Sequence, residues 1–181
     1  MQKIILIAGP SGAGKTTISE FLSKEYRIPR VITHTTRAKR PGEIDGESYY
    51  FETDESFKQL HLFEHVNYGG FQYGSSKEGL KKAWEKNDLV SLVVDIEGVR
   101  SYIKQLGEQV YFLYVTEDID ILEQRLKARG DSPEKIAKRL QGKELNALPI
   151  DLRQYAHILV NGDWAETERK LTKIVLNLQE N

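Results

Sequence analysis

Cysteine is absent from all 181 residues, so the chain has neither a disulfide framework nor a thiolate metal site, and it suits a reducing compartment. An excess of one charge is absent too: 26 basic side chains balance 27 acidic ones, for a formal net charge of -1. That balance removes the bulk electrostatic case for a nucleic-acid or anionic-membrane partner, and leaves any anion binding to local clusters. No apolar run approaches the roughly eighteen residues a spanning helix needs. The opening MQKIILIAG lacks the length and the small-residue cleavage pattern of a secretory signal. Internal repeats, low-complexity tracts and linkers are missing as well. The expectation left by these absences is a cytoplasmic globular protein. Its length and 39% hydrophobic content suit one domain with a sizeable core.

Four apolar, β-branched runs are present: Ile4 to Ala8, Leu89 to Val94, Val110 to Val115 and His157 to Val160. Each reads as a strand buried on both faces, as in a parallel sheet with helices on either side. Helical spacing lies between them, at Ile18, Phe21 and Leu22, at Val99, Ile103 and Leu106, and at Ile119, Leu122 and Leu126. A last stripe runs through Leu171, Ile174, Val175 and Leu178. The alternation predicts an α/β doubly wound fold.

Two stretches interrupt that rhythm. Residues 33–83, with short strand-like pieces such as ESYYF and GFQYG, read as a small inserted α+β lobe. Residues 118–147 carry two charged helical segments hinged at RGDSP, where Gly130 and Pro133 punctuate the chain. The core is then expected in 1–32, 84–117 and 148–181, with both excursions where strands end and ligands bind.

Between the first strand and its helix stands GPSGAGKTT, residues 9–17. Gly9, Gly14, Lys15 and Thr16 match the P-loop pattern G-x-x-x-x-G-K-[ST], with the strand before and helix after that the motif requires. Bare glycines let backbone N–H groups wrap a phosphate, and the helix N-terminus adds positive potential. Lys15 then reaches the β- and γ-phosphates and the Thr16 hydroxyl ligates Mg²⁺. The segment reads as a nucleoside triphosphate site. In THTTRAKRPGEIDGESYYF, residues 33–51, Arg37 and Arg40 stand near threonines and Tyr49, a set suited to a second phosphate. From residue types alone that loop reads equally as a solvated basic face. Asp95, ending LVSLVVD, faces the P-loop as a Mg²⁺ partner, directly or through water, or else caps the helix that follows.

GPSGAGKTT, TTRAKRPGEIDGESYYF, FEHVNYGGFQYGSS and VVDIEGV together resemble the guanylate kinase family in order and spacing, over nearly the whole chain. The resemblance implies a P-loop kinase core, a GMP-binding lobe at 33–83 and a helical lid at 118–147. It implies phosphorylation of GMP, and of dGMP, by Mg·ATP, in a monomer or homodimer. The phosphate of GMP falls to Arg37, Arg40, Tyr49 and Tyr73, and the guanine edge to Thr33, Glu64 and Ser75, with Gly74 and Asp95 in the same pocket. A carboxylate at Glu64 can accept from both N1–H and the 2-amino group of guanine, a donor pair that adenine lacks. ATP falls to Gly9, Pro10, Ser11, Gly12, Ala13, Gly14, Lys15, Thr16, Thr17, Arg125 and Asn161. The catalytic cations are Lys15, Arg40, Arg129 and Arg139.

The chain departs from the family pattern in two places. Val93 stands where the family usually has a second Asp, and the lid is one residue shorter between Arg129 and Arg139. His34, His61, His65 and His157 are given no catalytic role. Two other readings stay open, a guanylate kinase-like module that only binds partners and a related P-loop kinase with another phosphate acceptor.

Overall fold

Successive residues of a strand point to opposite faces, and in Ile4–Ala8 every one of them is buried. Such a strand belongs in the middle of a sheet covered on both sides. The computed structural model, which describes residues 1–141 and 148–180, places it there. Strand β1 (Lys3–Ala8) is flanked by β6 (Leu89–Val93) and β7 (Val110–Thr116), and β7 carries β8 (Ala156–Val160) at its outer side. All three pairings are parallel. Beyond β6 the chain at Arg30 adds a short parallel bridge to Ser91, which widens the sheet by one abbreviated strand.

Ile4, Leu6, Ala8, Leu92 and Phe112 face one cluster, closed by α3 (Lys77–Trp84) and α4 (Ile96–Leu106) through Leu80, Val99 and Tyr102. Ile5, Ile7, Leu113 and Val115 face the other, closed by α1 (Lys15–Tyr26), α5 (Ile119–Ala128) and α7 (Trp164–Glu180) through Ile18, Leu122, Leu171 and Val175. Each such side chain contributes about 1.5–3 kcal/mol by leaving water, which ties strand order to the two-faced apolar pattern.

One strand departs from expectation. In β8 only Leu159 is buried, while Ile158 is 64% and Val160 51% exposed, because β8 is a sheet edge and its second face is left open.

The lobe is a second sheet, ordered β3 (Tyr50–Phe51), β2 (His34–Thr35), β5 (Phe71–Ser76), β4 (Leu62–Tyr68). Gly69 and Gly70, at φ 60° and 82°, make the tight turn between β4 and β5. A short helix, α2 (Asp54–Phe57), follows β3. Buried His34 bonds Glu52 with one ring nitrogen and Ser76 with the other, each at 2.8 Å, tying β2 to the start of α3.

Lobe and core meet where Phe63 of β4 stacks on Tyr102 of α4 at 4.0 Å. Helix α3, expected from sequence within 33–83, packs into the core cluster through Leu80 and Ala83. The lid segment divides similarly. Helix α5 is docked on the core by Leu122 and Leu126, both fully buried, and α6 (Pro133–Gln141) packs on α5. The remainder of the expected lid, 142–147, lies outside the described residues.

Candidate active site

The loop after β1 is shaped by what its glycines avoid. Gly9 has φ 145°, and a Cβ there would lie 1.9 Å from the Val115 carbonyl oxygen of β7. Gly14, the left-handed N-cap of α1 at φ 92°, would meet the Asn161 amide nitrogen at 2.2 Å. Gly12, at φ 85°, passes close over α5 at Leu122 and Leu126. The turn thus presses against β7, Asn161 just beyond β8, and α5, with its N–H groups at the helix N-terminus. Pro10 and Ala13 are buried beneath it, and Thr16 and Thr17 are exposed at the start of α1. Lys15 Nζ donates to the carbonyls of Gly9 at 2.7 Å and Pro10 at 2.9 Å, folded across the loop.

A cavity of about 690 Å³ opens here, lined by Ser11, Gly14, Lys15, Thr16, Arg129 and Trp164 among others. Arg125 stands at its wall and donates to the Asn161 carbonyl at 2.7 Å. Asn161 is itself buried. Its amide donates to the Ala13 carbonyl at 2.7 Å and accepts from the Thr167 hydroxyl at 3.0 Å. Both ends of that side chain are therefore engaged, the nitrogen on the loop and the oxygen on α7.

A second group of expected residues gathers on the lobe side. Thr33, Tyr49, Glu64, Tyr73, Gly74 and Asp95 line one cavity of about 260 Å³, and Thr33 and Tyr49 also line its neighbour, which reaches Thr16. Glu64 accepts from the buried Ser75 hydroxyl at 3.2 Å. Its carboxyl is pushed up to about 7, first by burial and then by the Asp95 charge, against the opposing Ser75 bond. A Cβ on Gly98 would come within 2.3 Å of this carboxylate, so a glycine in the first turn of α4 is what lets Glu64 sit there. Gly74 is constrained likewise, since a Cβ would meet the Glu64 carbonyl oxygen at 2.7 Å. Asp95 caps α4 by accepting from Gly98 N–H at 2.7 Å, and it also borders the cavity that contains Gly9, Ser11 and Lys15.

Arg37, on the far side, is mostly buried and forks onto Glu43, at 2.7 Å and 3.0 Å, beside the rings of Tyr49 and Phe51. Glu43 also accepts from the Arg40 N–H at 2.7 Å, and these contacts hold its carboxyl below the ordinary carboxylate range. The Arg40 side chain is exposed. Glu43 falls inside the TTRAKRPGE motif, yet nothing in residue spacing marks it as the partner of Arg37; nor does spacing expose the role of Gly98. Arg129 and Arg139 both reach Asp131 Oδ2, at 2.5 Å and 2.7 Å.

The family model for guanylate kinase matches residues 1–178. The chain belongs to the guanylate kinase family. It is 36% identical over 166 residues to the guanylate kinase of Streptococcus pneumoniae strain R6, covering 87% of this chain and 78% of that protein. It is 32% identical over 180 residues to that of Streptococcus pyogenes serotype M3, covering 95% and 84%. The crystal structure of guanylate kinase from Anaplasma phagocytophilum superposes with a TM-score of 0.67 at 23% identity, over 99% of this chain and 87% of that one, and shares its fold. The protein is thus a nucleotide kinase, a transferase with guanylate kinase activity. No described helix is long and apolar enough to cross a membrane.

Proposed function

We propose that the γ-phosphoryl group of ATP passes directly to the phosphate of GMP, within the run of clefts that joins the P-loop to Glu64. The observation that carries this reading is continuity. Thr16 borders both the P-loop cavity and the cleft at Thr33 and Tyr49, and Asp95 borders both the Glu64 cavity and the one at Lys15. ATP lies on residues 9–17 with Arg125 and Asn161 beside it. GMP lies with guanine toward Glu64, Ser75 and Thr33, and its phosphate toward Tyr49, Tyr73, Arg37 and Arg40. These contacts are to base and phosphate, which dGMP shares, so dGMP is an acceptor too.

Lys15 leaves the carbonyls of Gly9 and Pro10 for the phosphates, exchanging two neutral acceptors for charged ones. Arg37 keeps part of its fork on Glu43 and offers the rest to the acceptor phosphate, its guanidinium 5.6 Å from the centre of the Tyr49 ring. Among the described residues no group of three or more His, Asp or Glu could hold a metal by itself. The donors present, the Thr16 hydroxyl and the Asp95 carboxylate, fit Mg²⁺ that arrives on the nucleotide and retains phosphate oxygens and water. When bound, that ion neutralises charge on the β- and γ-phosphates. The bond from the γ-phosphorus to the bridging oxygen breaks as one to an oxygen of the GMP phosphate forms, giving ADP and GDP. Arg129 and Arg139 neutralise the group in transit, and no side chain is phosphorylated. A cysteine-free chain suits this chemistry in the cytoplasm.

Initial rates with both substrates varied test direct transfer. Intersecting double-reciprocal lines are expected, whereas parallel lines would indicate a phosphorylated enzyme and overturn the reading.

A further inference from the structure

Two guanidinium groups near one another repel, and flexible side chains would normally separate them. Here both Arg129 and Arg139 donate to a single carboxylate oxygen, Asp131 Oδ2. The Asp131 side chain is only 16% exposed, against 55% for Arg129 and 36% for Arg139. The backbone leaves it no slack. Helix α5 ends with Gly130 at φ 84°, where Gly130 N–H donates to the Lys127 carbonyl at 2.9 Å and Asp131 N–H to the Leu126 carbonyl at 3.2 Å, a Schellman closure. Leu126 is itself buried against the P-loop at Gly12. Two residues later α6 begins, with Ile136 N–H donating to the Ser132 carbonyl at 2.9 Å. Asp131 therefore stands at a rigid corner, with one arginine from the docked helix and one from the helix packed on it.

We propose that Asp131 is a positioning residue that seats Arg139 of α6 beside Arg129 at the mouth of the P-loop cavity, so that the two act on the transferring phosphoryl group as a unit. Arg129 already lines that cavity, and Arg139 is tied to it by the shared carboxylate of Asp131, which lines the neighbouring cavity between α5 and α6. Each guanidinium has five N–H donors, so contact with Asp131 leaves donors for phosphate on both. The carboxylate offsets the repulsion between them and fixes their orientation before nucleotides bind. The short connection makes this possible, because Arg129, Gly130, Asp131 and Ser132 alone join the helices.

This inference rests on the assignment of Arg129 and Arg139 to the transition state, and the test separates the two. Steady-state constants are measured for Asp131→Asn, Asp131→Glu, Arg139→Ala and the Asp131→Asn/Arg139→Ala pair, with thermal melting of each to verify folding. Asp131→Asn should lower kcat about tenfold or more and leave KM for GMP and ATP within about twofold, since the contact it serves strengthens only in the transition state. Asp131→Glu, which keeps the charge on a longer arm, should recover part of kcat, and it carries the test if the Asn variant does not fold. In the Arg139→Ala background, Asp131→Asn should cost less than about threefold, because the residue it positions is gone.

If Asp131→Asn keeps kcat within about twofold, raises KM instead, or multiplies fully with Arg139→Ala, Asp131 does not act through Arg139. If Arg139→Ala itself leaves kcat intact, the arginine assignment fails before Asp131 is at issue.

Discussion

Glu64 shows how a single side chain carries an energetic conflict for function. Burial and the Asp95 charge raise its carboxyl from the ordinary 4.5 to about 7, so its ionised form is disfavoured in the fold and not in the unfolded chain. The folded protein therefore keeps full stability from this site below about pH 4.5 and loses it as pH rises through 7. Glu64→Gln removes that loss, and at pH 8 it should raise the unfolding free energy by about 1–3 kcal/mol, read from chemical denaturation. The same variant turns one accepting oxygen into a donor that opposes those of guanine. Charged hydrogen bonds contribute roughly 1.5–3 kcal/mol, so kcat/KM for GMP should fall at least about tenfold. A variant that is no more stable and keeps its GMP efficiency would show that Glu64 is an ordinary surface carboxylate. The motif stretch containing Glu64 was legible in the sequence because it is contiguous. Ser75 and Asp95 come with it through the family resemblance, whereas Gly98 does not, since it reaches Glu64 only through the packing of α4 on β4.

Among the elements, those with a long periodic signal were read correctly and short or edge elements were not. β1 and β7 are five to seven residues of apolar sequence, and their burial on both faces follows from central places in the sheet. β2 and β3 have two residues each, too few for any period, and their pairing depends on β5. β8 carries the same apolar composition as a central strand, and only its edge position leaves Ile158 and Val160 exposed. Asn161, one residue beyond β8 and in the wall of the P-loop cavity, supports Ala13 through its amide and takes a bond from Thr167. Asn161→Ala should lower stability by about 1–3 kcal/mol, the cost of leaving a buried group unsatisfied, and raise KM for ATP as the loop loosens. Thermal melting and ATP kinetics together decide. An unchanged melting temperature with a raised KM would mean that the amide meets the nucleotide and not the loop.

At the scale of the molecule, near-neutral charge coexists with a strongly cationic interior edge. Lys15, Arg125 and Arg129 all line the P-loop cavity, while the formal net charge is -1. In the proposed reading, phosphate affinity is therefore built locally, by the P-loop, the lobe and the α5–α6 corner. In the proposed reading, acceptor identity rests on Glu64, which lines its cavity with Thr33, Tyr49 and Tyr73. The central claim is that this arrangement passes phosphate from ATP to a guanine nucleotide and not to other monophosphates. The most direct measurement is ADP formation by the purified protein with Mg·ATP and, in turn, GMP, dGMP, AMP and UMP. The account predicts turnover with GMP and dGMP, and kcat/KM lower by about 10²-fold or more with AMP and UMP, because buried polar groups left unpaired reject the wrong base. Comparable efficiency with AMP, or no ADP formed with GMP, would contradict it.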